Sequence, residues 1–386
     1  MRTAPEAPVL PQIETAPARN ANGTGQKMHT PFVPYAVKKF LRRSSPDRSQ
    51  TVRHTIQAAF VLLNLWIGAQ FYLWARYYES AGRTIYVERP TGVEGWLPIA
   101  GLMNLKYFLV TRHLPQVHPA AMFLFVAFLL SSLLLKKAFC SWLCPIGTFS
   151  EMLWKLGRKL LGKNLTPPRW LDIPLRGLKY LLLGFFIVVI GGMSATALDG
   201  FMHTPYGLIA DVKMLDLFRD IGETGAIVLG VLVLLSVLVQ NFWCRYLCPY
   251  GALMGLASLF SPVRVRRDAA ACIDCGKCAR ACPAHLPVDR LVQVRSVECA
   301  ACMECIAVCP AQNALQFSLP PRHADGLAER WRRRTLSPAA VAMFLAVLFF
   351  SVVGYAKATG HWRTDLPRSV YMELVPHANQ VTHPGM

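Results

Sequence analysis

Charge is scarce in this sequence. Only 16% of its 386 residues are Asp, Glu, Lys or Arg, against 53% hydrophobic ones. Acidic residues are the scarcer kind, 22 against 41 basic, for a formal net charge of +19. That excess invites a nucleic-acid reading, but no recognition fold goes with it. The cations sit instead beside the ends of apolar blocks, at Lys38, Lys39, Arg42 and Arg43, at Lys136 and Lys137, and at Arg330, Arg332, Arg333 and Arg334. Other features are missing altogether. No nucleotide fingerprint, flavin motif or catalytic triad is present, which argues against a self-contained enzyme. No two His lie on facing apolar blocks, His54 at the edge of one being the nearest, and this excludes a b-type haem. Residues 1–35 lack the apolar core of a secretory signal and read as a disordered cytoplasmic arm. No cysteine stands alone: all 12 fall in regularly spaced motifs near basic flanks, unlike the disulfide framework of a small secreted domain.

What is present is a set of blocks close to the length needed to cross about 30 Å of hydrocarbon. Five are expected: Thr55 to Tyr77, Ala120 to Leu135, Tyr180 to Leu198, Ala226 to Phe242 and Pro338 to Ala356. Glu94 to Arg112 reads as an interfacial or re-entrant helix, because Pro98, Lys106 and Arg112 argue against a full span. Tyr35 to His54 reads as a basic, amphipathic surface segment, and so does Phe149 to Lys163. The basic loops place the amino terminus and the segments after the second and fourth spans in the cytoplasm. The expected class is mainly α: a polytopic helical membrane bundle with a small cytoplasmic ferredoxin-like α+β domain. Its divisions are a basic arm (1–54), a four-span domain (55–263), a twin-cluster domain (264–320), a basic linker with the fifth span (321–357) and an extracytoplasmic tail (358–386).

The sharpest signal is a duplicated cysteine run. From Cys272 the chain reads C-I-D-C-G-K-C-A-R-A-C-P, and from Cys299 it reads C-A-A-C-M-E-C-I-A-V-C-P. In such C-x2-C-x2-C-x3-C-P runs, three thiolates hold one [4Fe–4S] cluster and the fourth reaches to the other. One cluster is therefore expected on Cys272, Cys275, Cys278 and Cys309, and a second on Cys299, Cys302, Cys305 and Cys282. Gly276 permits the tight turn, and Ala279, Ala281, Ala300, Ala301 and Ala307 leave room. Zinc prefers two spaced pairs.

Two further pairs sit where spans end: F-C-S-W-L-C-P-I-G with Cys140 and Cys144, and W-C-R-Y-L-C-P-Y-G with Cys244 and Cys248. Each closes a two-span unit, so the chain contains a parallel internal repeat. At i, i+4 on one helix both sulfurs would share a face. Four such thiols suit a metal, a disulfide exchange or a quinone head group, against the alternative of small packing residues.

With both C-x3-C-P motifs followed by both ferredoxin runs, residues 50 to 320 resemble the NapH-, NosR- and CcoG-type polyferredoxin membrane proteins, most of all the NapH type. The resemblance implies a bacterial inner-membrane protein with cytoplasmic clusters that relays electrons between the quinone pool and a periplasmic or membrane oxidoreductase. The CcoG likeness implies an alternative, reduction or delivery of copper during assembly of another enzyme; a redox-sensing regulator is a third reading. Against the NapH type, a fifth span and an outer tail are added. His113, His118, His203, Glu94 and Asp199 are candidates for taking quinol protons, with ordinary interfacial hydrogen bonding as the bland alternative. His377 and His383 in the tail are candidates for copper, with solvated side chains as theirs.

Overall fold

The computed structural model describes residues 41–44, 46–320 and 334–384. The arm before residue 41 and the basic linker through residue 333 lie outside the described residues. Helix α1 runs Ser49–Glu79. It begins six residues ahead of the expected span because the Asp47 carboxylate accepts the Ser49 backbone N–H, and because Arg53 and Gln57 are buried against partners. Residues 41–44 form no surface helix. They run along the ferredoxin-like part instead, where Gln312 N–H donates to the Leu41 carbonyl and Arg43 N–H to that of Pro310.

After a 3-10 turn at Thr91–Trp96 come α2 (Pro98–Thr111) and α3 (Pro119–Leu135). Helix α3 is buried on nearly every side and forms the axis of the bundle. An α-helix apolar all round belongs in such a place. Short α4 (Ala138–Trp142) and amphipathic α5 (Pro145–Leu161) follow, then α6 (Arg169–Gly192). Helix α6 stops six residues short of the expected Leu198. The Lys106 ammonium lies at its carboxyl end and donates to the carbonyls of Ile190 (2.9 Å) and Gly191 (2.8 Å). A cation there satisfies orphan carbonyls and opposes the helix dipole. The lysine that argued against a span at α2 thus serves α6.

The chain continues through α7 (Ala195–Met202), α8 (Pro205–Leu208), α9 (Ala210–Arg219) and α10 (Glu223–Leu238). A π-turn at Trp243–Leu247 leads to α11 (Pro249–Ala257). Strands β1 (Arg264–Arg267) and β2 (Leu315–Ser318) pair antiparallel, Val265 opposite Phe317, and enclose α12 (Lys277–Ala281) and α13 (Glu304–Ala307). Helix α14 (Pro338–Ala358) packs on α1 and α3, and α15 (Arg368–Leu374) on α1.

Among the described residues α1, α6 and α14 are long and apolar enough to cross a membrane, and α9 with α10, bent by 81°, makes up to a fourth. Helix α3 is apolar but has 17 residues, about 25 Å of rise. Large apolar side chains point outward on the long helices, among them Trp66, Val188 and Phe350, as expected of a surface facing lipid rather than water. The expected outer tail does not trail in solvent. Tyr371 is buried with its ring edge-on to Trp74, and Val375 is buried beside it.

Candidate functional site

The two cysteine runs of the ferredoxin-like part follow the same backbone path. Asp274 (φ 53°) and Gly276 (φ 66°) are left-handed in the first, and the equivalent Ala301 (φ 52°) and Met303 (φ 58°) in the second. The turn attributed to Gly276 therefore does not need glycine, at a cost of roughly 1–2 kcal/mol for a side chain such as Met303. This path turns backbone N–H groups toward sulfur: Asp274 N–H donates to Cys272 Sγ (3.4 Å), and Cys282, Cys299, Cys302 and Cys309 also receive backbone donors. Cys309 lies within electrostatic reach of Cys272, Cys275 and Cys278, and Cys305 within reach of Cys282, Cys299, Cys302 and Cys278. Burial pushes the Cys302 thiol up to about 12 despite Arg53 nearby. Such a thiol gives up its proton to a metal rather than to water. Soft sulfurs, buried or half-buried and six of them with amide donors, are the donor set an iron–sulfur cluster takes.

The C-x3-C pairs do not lie at i, i+4 on one helix. Cys140 sits in α4, whereas Cys144 is extended (ψ 118°) and caps α5; Cys244 sits in the π-turn and Cys248 (ψ 104°) caps α11. Pro145 and Pro249 push the residue before them out of helical conformation, which breaks each pair between two elements. The thiols still converge. Cys144, Cys248 and Cys140 all lie within electrostatic reach of Cys244. Cys144 and Cys248 both cap a helix, and at the second the Gly251 N–H reaches Cys248 Sγ at 3.2 Å. Gly147 lets the Cys140 backbone pack against the start of α5, since a Cβ there would stand 2.1 Å from the Cys140 carbonyl oxygen.

The residues between these cysteines fasten the second ferredoxin loop. The Trp142 indole N–H donates to the Ala301 carbonyl (3.1 Å) and the Ser141 hydroxyl to that of Ala300. Gln50 donates to the Cys302 carbonyl (2.9 Å), and Arg53 pairs with Glu151 and, at 3.1 Å, with Glu304. Beside Cys299, the Glu298 carboxylate accepts from Lys179 at 2.6 Å and lies 3.9 Å from Lys137.

Two cavities meet here. A small one of about 90 Å3 touches Cys282, Cys299, Cys302 and Cys305. A larger one of about 330 Å3 touches Cys140, Cys144, Cys244 and Cys248 and runs between Phe60, Leu124, Phe128, Phe349 and Val353 to Gly92, Gly95 and Trp96 at the other end of the bundle. Lys137, Cys140 and Cys244 border both. The larger cavity has the size and apolar lining of a small-molecule site. Helix α14 supplies part of its wall, a use for the fifth apolar block.

Near the far end, the structure joins two of the suggested proton acceptors. His118 and Glu94 are fully buried, His118 Nδ1 3.3 Å from Glu94. Sequence reasoning missed their partners: Arg89 bonds Glu94 (2.9 Å) and Asp211 (2.7 Å), and Thr364 donates to Glu94 (2.9 Å). Nothing in the spacing of these residues announces the set, which spans 276 positions between Arg89 and Thr364. Burial alone would raise the Glu94 carboxyl, but Arg89 and His118 bring it down to about 2. Burial would likewise lower the His118 imidazole, yet Glu94 and Asp211 outweigh it and raise it. Arg89 and His118 thus face two carboxylates. His113, His203, His377 and His383 are exposed and are not brought together, and Asp199 lies 3.5 Å from His203 at the surface.

Because the His118 pKa is raised on folding, its contribution is complete below the unfolded value near 6.5 and is lost as pH rises through the folded value. A His118→Gln variant is expected to lose about 3 kcal/mol at pH 6. Its deficit against the parent should shrink as the pH is raised. Thermal unfolding in detergent across pH checks this, and a deficit independent of pH would show that His118 is not protonated in the fold.

Comparison with known proteins agrees with this construction. The family model of a 4Fe-4S binding domain matches twice, at residues 117–164 and 222–267, each match enclosing one C-x3-C-P motif. The 4Fe-4S dicluster domain matches residues 264–310. The chain is 52% identical to a protein of Escherichia coli (strain K12) named "Putative electron transport protein YccM", over 86% of this chain and 92% of that one. It is 26% identical to the ferredoxin-type protein NapH of Haemophilus influenzae, over 58% of this chain and 76% of the relative. To the methylamine utilization ferredoxin-type protein MauN of Paracoccus denitrificans it is 34% identical, over 38% and 48%. No solved structure matches it.

Proposed function

This chain belongs to the YccM family of iron–sulfur electron transport proteins, related to NapH, and on that premise we propose that it relays electrons between a membrane quinone and a partner oxidoreductase. The observation that carries the reading is that Cys140 and Cys244 border both cavities, the apolar one and the one lined by Cys282, Cys299, Cys302 and Cys305. Cys272, Cys275, Cys278 and Cys309 would hold one cluster and Cys299, Cys302, Cys305 and Cys282 a second. Such clusters supply one-electron steps when bound.

The chain's own residues supply the rest. The cavity between α1, α3 and α14 admits a flat apolar molecule from the bilayer and excludes water. Trp142, Ser141 and Gln50 hold the second ferredoxin loop against the four-thiol end of that cavity. The basic flanks favour a bacterial inner-membrane protein with the ferredoxin end in the cytoplasm, and the opposite end, capped by α15, is where a periplasmic partner would dock.

Anaerobic titration of the purified protein with a short-chain quinol tests this. Iron–sulfur absorbance is expected to bleach on quinol addition, and Cys278→Ser and Cys305→Ser are each expected to lose about four irons. Absorbance that dithionite bleaches and quinol does not would overturn the quinone reading while leaving the iron–sulfur one in place.

A further inference from the structure

We infer that Cys140, Cys144, Cys244 and Cys248 together hold an additional iron–sulfur cluster, at the boundary between the ferredoxin loops and the apolar cavity. The inference deepens the proposed relay by naming its middle station, but it stands on the geometry of these four residues.

Four soft sulfurs from two copies of one motif line one end of a single cavity, two from each half of the internal repeat. Cys144 and Cys248 each cap a helix, α5 of 17 residues and α11 of 9, so the positive helix ends and their amides face the sulfurs. The Cys272 and Cys302 loops place amides on sulfur in the same way. The surroundings suit an anionic group: the Lys137 side chain borders the cavity beside the thiols, so a positive charge stands there, and it and Lys179 both face the Glu298 carboxylate. Four thiols that become thiolates release four protons, and the resulting assembly, more negative than its iron core can offset, meets that charge.

Spacing favours a cluster over one ion. A tetrahedral zinc with sulfurs at about 2.3 Å holds them roughly 3.8 Å apart. Among the described residues, the only trio of His, Cys, Asp or Glu ligand atoms within 4.8 Å of one another is His54, Glu151 and Glu304, which ion pairs to Arg53 and Lys155 explain. The membrane-edge sulfurs are therefore set wider than a single-ion site, as the eight ferredoxin sulfurs are. The 4Fe-4S binding family model also covers both motifs, apart from its dicluster counterpart.

Iron and acid-labile sulfide, counted on anaerobically purified and reconstituted protein, test the inference without any activity measurement. The parent is expected to hold about twelve irons, and the fourfold Cys→Ser variant at 140, 144, 244 and 248 about eight, a loss of one third. The low-temperature spectrum of the reduced parent should contain a signal that the variant lacks. Should the fourfold variant fail to fold, Cys144→Ser alone is expected to lose or alter that signal while keeping the other two clusters. About eight irons in the parent, with all four thiols open to alkylation or joined in disulfides by mass, would overturn the proposal. Inertness toward quinol would not bear on the iron count, so the two readings fail separately.

Discussion

Val353→Trp is expected to slow quinol-driven reduction of the protein at least roughly hundredfold while leaving its iron and its reduction by dithionite unchanged. Val353 lies on α14 and lines the apolar cavity together with Leu124 and Cys140, and does not border the smaller one. An indole there takes volume from a cavity of about 330 Å3. Losing about 3 kcal/mol of quinone binding is already a hundredfold effect. Phe349→Ala, which enlarges the same cavity, should change quinone affinity and not iron content. Stopped-flow reduction with a quinol series reads both. Unchanged quinol rates in Val353→Trp would remove the cavity from the path.

Arg53→Met is expected to cost about 3–5 kcal/mol and to loosen the second ferredoxin loop from the helices. The Arg53 side chain is buried between Glu151 (2.6 Å) and Glu304 (3.1 Å), so its removal strands two carboxylates. Burial alone would raise the Glu151 carboxyl, but Arg53, His54 and Lys155 hold it well below the usual carboxylate range. A depressed carboxyl stabilises above its unfolded value, near 4.5 here, and that contribution is lost as pH falls toward the folded one. The deficit of the variant should therefore be full at neutral pH and narrow only in acid. Hydrogen exchange should rise across residues 299–305, and Arg53→Lys should restore part of the protection. A variant that melts like the parent would show that the Trp142 and Ser141 bonds hold the loop unaided.

The apolar blocks and cysteine runs were legible because each is local: a block needs only length and composition, a run only spacing. The same locality explains the boundary errors. Tyr180 to Leu198 reads as unbroken apolar sequence, but the helix stops at Gly192, where Lys106 of another helix takes its carbonyls. Cys140 and Cys144 read as one helical face, yet the proline after Cys144 hands each thiol to a separate helix. His118 read as an interfacial histidine because its partners, Arg89, Glu94 and Asp211, come from segments that only the folded bundle brings together.

By itself the sequence determined the apolar blocks, three of which are helices long enough to cross a membrane among the described residues, the ferredoxin-type relationship and the recurrence of C-x3-C-P, since hydrophobic length and ligand spacing act over a few residues. The tertiary structure alone decided that four thiols from two halves of the chain meet, that they lie between an apolar cavity and a ferredoxin loop, and that the fifth helix walls that cavity. Those depend on close packing between segments far apart in sequence, where one carbonyl against a glycine or one buried ion pair fixes the approach.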